Sequence, residues 1–164
     1  MAAEFNLDNW PIAYIKFSSC EITDESFEEY KRNYLNMLIQ CKHKKNKIVV
    51  ICDLNYTQSM PLNYIMKQSQ FNKEVEKFNK EYVTCVCIMC KNKAFKNMLN
   101  LYFSMSKPAS PFKIFRSNEK ANKYIIDKFN IKFDINKLYD KKDVDEDIEE
   151  EEEDELNNED KKLY

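Results

Sequence analysis

Apolar positions fall into two kinds of run. Short runs rich in β-branched residues alternate with longer stretches whose apolar residues recur every three or four positions. The first kind is strand-like and the second is one face of a helix. Residues 12–17 (IAYIKF) read as the first strand, with 18–22 as an extension or a short second strand. Thr23 then stands as an N-cap, with Asp24 and Glu25 in the first turn, where the helix dipole favours acids. Phe27, Tyr30, Tyr34, Leu38 and Cys41 make one apolar face of a helix over about 24–41. It ends in the lysine-rich stretch 42–47. Residues 48–54 (IVVICDL) form a continuous apolar run, as in a strand buried on both faces of a parallel sheet.

Residues 55–60 are polar enough for a loop, and Pro61 suits a first helical position. Leu62, Ile65, Met66, Ser69, Val75 and Phe78 predict a less regular helix over about 61–79. A second buried strand follows at 82–89, then a helix at 91–103 with Phe95, Met98, Leu99, Tyr102 and Phe103 on one face. The prolines of 107–111 break it. A short strand at 112–116 and a helix at 118–129, capped by Ser117, complete the pattern. The expected fold is α/β, a mainly parallel sheet with helices packed on it and right-handed crossovers. Residues 1–11 read as a lead-in segment and 12–139 as one domain, in which 130–139 keep enough apolar residues to dock. From 140 onward the chain is an acidic low-complexity tail, expected to be disordered.

Charge sharpens that division. Residues 143–164 hold 13 acids and two lysines, a net of −11, while residues 1–142 hold a net of +9. The chain therefore pairs a basic body with an acidic tail, and the tail is expected to screen the body electrostatically. Lysines cluster at 42–47, at Lys67, Lys73, Lys77 and Lys80, and at Lys91, Lys93 and Lys96. Anionic lipid or nucleic acid could bind such a surface. With only two arginines, base reading is poorly provided for, and a solvated face is the favoured reading.

Glycine is absent altogether. Phosphate-cradling loops need it, so Walker-type and Rossmann-type nucleotide sites are excluded. The abundance of Asn, Lys, Ile, Tyr and Phe points to an AT-rich genome, such as that of a large DNA virus, a protozoan parasite or a low-GC bacterium. No apolar run reaches the roughly 18 residues of a membrane span. The N-terminus has no signal-peptide pattern, so an intracellular, cytoplasmic setting is expected, with host cytoplasm or a virion as variants. In a reducing compartment the six cysteines are not expected to pair.

The strand at 12–17 followed by Thr23-Asp24-Glu25-Ser26-Phe27, the strand ending Asp53-Leu54 before Met60-Pro61-Leu62, and the last helix opening Ser117-Asn118-Glu119-Lys120-Ala121 together resemble the STAS family of sulfate-transporter and anti-sigma-antagonist domains, in its STAS/Sec14-related branch. The resemblance is one of pattern and covers about residues 12–128. It implies a non-enzymatic interaction module that binds a protein partner or a small apolar ligand near the loop after the central strand. In the antagonist branch that loop carries a Met-Asp-Ser-Ser-Gly turn whose serine is phosphorylated. Here Met60-Pro61-Leu62-Asn63-Tyr64 stands in its place, and Ser59 is the nearest serine. The candidate binding residues are thus Asp53, Tyr56, Ser59, Met60 and Asn63.

Other chemistry competes with the ordinary structural role of each residue. Cys85, Cys87 and Cys90 have the spacing of soft metal ligands, which gives a redox or metal-binding alternative. Cysteines on a buried strand more often act as small core residues. Asp53 could accept a phosphoryl group, yet no acidic pair follows the first strand, and capping of the loop backbone is favoured. His43, the single histidine, lies in a lysine run, so no nucleophile–base pair is expected with Cys41. No cofactor is expected.

Overall fold

The structure is a computed structural model that describes residues 3–18, 22–57, 60–105 and 108–138. Cys20, Ser59 and the acidic segment from residue 140 lie outside the described residues. Five strands form one sheet in the order β1-β2-β3-β4-β5. They are β1 (Ala3–Asn6), β2 (Ile12–Phe17), β3 (Ile48–Asp53), β4 (Val83–Met89) and β5 (Phe112–Phe115). β2 to β5 run parallel, and β1 lies antiparallel on the outer edge of β2. The expected α/β class and largely parallel sheet are therefore present, with the 48–54 run as the middle strand.

β1 arises within the stretch read as a lead-in. Four residues are too few for a periodic signal. The strand is fixed by its pairing with β2 and by Phe5, which packs against the ring of Tyr30 at 6.1 Å between centroids.

Each parallel crossover is helical: α1 (Asp24–Lys44), then α2 (Leu62–Glu74) with α3 (Glu76–Tyr82), then α4 (Lys93–Met105). Thr23 caps α1 in a reciprocal box. Its side chain accepts from the Ser26 N–H at 3.2 Å, and its own N–H donates to Ser26 Oγ at 3.0 Å. The helix runs one turn further than its apolar face suggested, through Lys42, His43 and Lys44. Lys45 closes it in a left-handed conformation (φ 52°), and Asn130 does the same after α5 (Asn118–Phe129; φ 54°). Glycine usually fills such positions. In a chain without any, a lysine and an asparagine take its place.

The stretch expected as one helix at 61–79 is two. The backbone leaves the helical region at Val75 (ψ 5°), which turns α3 back toward the sheet and buries Val75 and Asn79. The face of α2 that is turned inward also differs from the expected one. Tyr64 and Phe71 are buried, whereas Leu62, Met66 and Phe78, expected on the apolar face, are exposed. The buried stripe follows the aromatic rings of α1: Phe71 packs edge-on against Tyr30 and Tyr34 at 6.0 and 5.8 Å. A polar chain crosses the same layer, with Gln68 donating to the Tyr30 hydroxyl and to Asn72, and Asn72 donating to the Tyr102 hydroxyl.

Two cores result. One lies between the sheet and α1, α2 and α4, and contains Ala13, Ile15, Val50, Ile88, Phe95 and Leu99. The other, on the opposite face, joins Ile12, Val49, Ile51, Cys85, Cys87 and Met89 to Ala121 and Ile125 of α5 and to Ile135. Ile135 belongs to a 3-10 turn, Ile135–Leu138, and is fully buried. The segment after α5 thus docks on the domain, as its apolar content led us to expect. The three successive crossovers leave this second face bare of helices, and α5 with the docked segment covers it.

Candidate functional site

At the carboxyl edge of the sheet, β3 ends in Asp53 and the chain turns outward through 54–61 into α2. Asp53 is fully buried. Its Oδ2 accepts from the Tyr14 hydroxyl of β2 at 2.7 Å, and its Oδ1 accepts from the Asn55 N–H at 2.9 Å. Asn55 Oδ1 in turn accepts from the Lys91 N–H, 2.9 Å away at the end of β4. The carboxylate therefore shapes the loop and ties it to both neighbouring strands, the backbone-capping role favoured from sequence. It presents no oxygen to solvent.

The other candidate residues divide. Tyr56 is half-buried, with Lys16 Nζ 4.6 Å from its ring centroid. Met60 is half-buried against the first core, and Asn63 is exposed on the first turn of α2. Ser59 lies outside the described residues. Thr57, which sequence reasoning passed over, is buried in the same loop. Leu62 and Met66, one turn apart on α2, are the two most exposed large hydrophobic residues named in the described fold, at 72% and 66%. Below them, Asp24 accepts from the Tyr64 hydroxyl at 2.8 Å and pairs with Lys67. Lys67 and Tyr64 together hold the Asp24 carboxyl below its usual range. This cluster fixes the start of α2 against the start of α1. The edge thus presents an apolar pair on a helix start joined to α1, beside a loop whose backbone Asp53 holds from below.

The three cysteines do not converge. Cys85 and Cys87 share the second core, as strand alternation requires, but Cys90 belongs to the first, across the sheet. An extra residue in β4, opposite the step from Ile48 to Val49, puts Val83 on the face of the first core and Cys85 on that of the second: Ile48 pairs with Val83 but Val49 with Cys85. No group of three or more His, Cys, Asp or Glu able to hold a metal occurs among the described residues. The thiols do differ. Cys85 is pulled below its ordinary value because the neighbouring Cys87 thiol, and then the Tyr124 hydroxyl at 3.9 Å, can donate to it. The same contact with Cys85, together with burial, pushes Cys87 up. Burial also raises Cys41, and it pushes Cys52 up to about 12. His43 is exposed in the last turn of α1, whereas Cys41, two residues before it, is fully buried.

The sequence model of a family described as a domain of unknown function, DUF7793, matches residues 42–128, just over half of the chain. The chain belongs to the DUF7793 family. No curated protein and no solved structure matches it. The DUF7793 match runs from the last turn of α1 to the end of α5. It takes in β3, the loop, α2, Cys85, Cys87, Cys90 and the lysines of 42–47. Tyr14 and Lys16, which brace the loop from β2, fall outside it, as does the docked Ile135.

Burial makes a direct prediction for the thiols of this DUF7793 chain. In the native protein at neutral pH, Cys41, Cys85, Cys87 and Cys90 should react with an aromatic disulfide reagent at least roughly tenfold more slowly than in denaturant, because reagent access needs local opening. Mass mapping of the modified peptides reads this residue by residue. Fast native labelling of Cys85 would instead revive the redox alternative.

Proposed function

We propose that the chain is a non-enzymatic interaction module of STAS-like type, which binds a protein partner through the β3–α2 loop and the first turns of α2. The observation that carries this reading is the exposed pair Leu62 and Met66, set on a helix start that Tyr64 and Lys67 join to Asp24 of α1. Apolar side chains presented on a rigid element are what protein interfaces bury at their centres. The pair projects from a helix rather than lining an enclosed cavity, which favours a protein surface over a small apolar ligand. The STAS-like part of the reading draws support from the element order, from the capped acidic start of α1 and from the loop that follows the middle strand.

The double substitution Leu62→Ser and Met66→Ser tests it. Both side chains are exposed, so thermal stability should change little, within roughly 0.5 kcal/mol for each surface change. A partner captured from the native host by the unaltered protein should be lost with the double variant. Retention of the same partner at the same level by a folded double variant would remove the proposal. The redox or metal-binding alternative has its own check in the thiol mapping above and in metal analysis of the purified protein.

A further inference from the structure

The opposite edge of the sheet carries a different surface. There the chain passes from α1 into β3 and from α3 into β4, and a cavity of about 250 Å³ lies between these two connections. It is lined by Lys42, Lys45, Asn46 and Lys47 on one side and by Glu81 and Tyr82 on the other. Residues 42–47 are all exposed. Four of the six are lysines, and the left-handed cap at Lys45 folds the run around the end of α1 instead of spreading it along the helix. Lys44 Nζ stands 3.7 Å from the centroid of the Trp10 ring. Lys42, Lys45 and Lys47 form no ion pair with any described residue. Lys31, Lys67 and Lys80, by contrast, each pair with a carboxylate on α1 or α3. A single carboxylate, Glu81, lines the cavity against three lysines.

We propose that this lysine cleft is the docking surface for the chain's own acidic run at residues 149–155. The run has seven consecutive acids, the densest negative charge in the sequence, and 42–47 is its densest positive counterpart. Reach is sufficient. Ten residues separate Leu138, the last described position, from residue 149, and such a linker extends to roughly 33–36 Å. A six-residue strand is only about 20 Å long, so the acidic run can pass from the carboxyl edge, where Asn136 accepts from Asn118 at the start of α5, to the lysine edge. A linker of this length also holds the two charge runs at an effective concentration in the millimolar range. Association of this kind is salt-sensitive, because exposed charges are screened over about 30 Å at 0.01 M ionic strength but over about 3 Å at 1 M. The cleft is then closed to other polyanions until salt or a competitor displaces the run.

Zero-length carbodiimide cross-linking of the full chain, followed by peptide mass mapping, tests the proposal. At low ionic strength, monomeric product should carry bonds between residues 149–155 and Lys42, Lys44, Lys45 or Lys47. Their yield should fall at least roughly tenfold at 1 M salt. Bonds spread over the body lysines in proportion to exposure, concentrated on Lys91, Lys93 and Lys96, or confined to covalent dimers would each overturn it. A second measurement avoids altering the folded part. In the full chain with Glu149→Gln, Glu150→Gln, Glu151→Gln, Glu152→Gln and Glu153→Gln, the backbone amide resonances of residues 42–47 should move toward their high-salt positions. Unchanged resonances at low salt would also overturn the proposal.

Discussion

Replacing Asp53 by alanine should lower stability by about 3 kcal/mol, a fall in melting temperature of roughly 6–12 °C for a domain of this size. The carboxylate is fully buried and accepts two hydrogen bonds, from the Tyr14 hydroxyl and from the Asn55 N–H. Removing it takes this acceptor away from the buried Tyr14 hydroxyl and from the half-buried Asn55 N–H, and the lost bonds in a desolvated setting are what cost free energy. Tyr14→Phe removes one donor and leaves the carboxylate its bond from Asn55, so a smaller loss of about 1.5–2 kcal/mol is expected. The two changes together should cost less than their sum, because they delete one shared contact. Urea denaturation of the two single variants and the double variant gives the coupling directly. Strict additivity would show that the Tyr14–Asp53 bond contributes nothing. Any partner contact made by the loop should weaken in Asp53→Ala as well, since Asn55 also carries the bond to Lys91.

Ile135→Ala should be comparably severe, at about 2–5 kcal/mol. Ile135 is fully buried and lies outside both the strand pattern and the DUF7793 match. Its side chain packs in the cluster that joins α5 to the sheet. The segment is pinned by the Ile135 N–H donating to Asn122 Oδ1 at 2.9 Å, so the cavity left by alanine cannot easily collapse. Denaturant unfolding followed by fluorescence measures the loss. A change below about 1 kcal/mol would mean that the docked segment adds little to the second core.

Much of this architecture was legible because most elements carry a complete periodic signal. Phe27, Tyr30, Tyr34, Leu38 and Cys41 lie where a 3.6-residue repeat puts them, and all five are buried. The runs around Val50 and Val86 mark β3 and β4 by composition alone. Other features were not legible, each for a physical reason. β1 is defined by its partner strand, not by its own four residues. The break at Val75 hides inside a stretch with acceptable spacing for one helix. The tertiary demand for aromatic packing on Tyr30 and Tyr34 decided which side of α2 faced in. At the loop, the position of Asp53 at the end of the middle strand was readable, but its partner Tyr14 lies 39 residues earlier and no local pattern names it. The lysine run was visible as charge, while its convergence on a cavity required the left-handed turn at Lys45.

The placement of three consecutive crossovers on one face has a bearing on how the chain acquires its structure. The core beneath α1, α2 and α4 is assembled from segments that follow one another, so each contact closes a modest loop. The other core joins Ile12 to Ile135, 123 positions apart. Long loop closures are slow and are favoured only once much of the structure exists. The Ile135–Leu138 turn, which joins this core only after α5, is therefore expected to dock late during folding and to open early in the native state. Hydrogen exchange followed by NMR should accordingly show the Ile135–Leu138 amides exchanging by a route that leaves β3 and β4 protected.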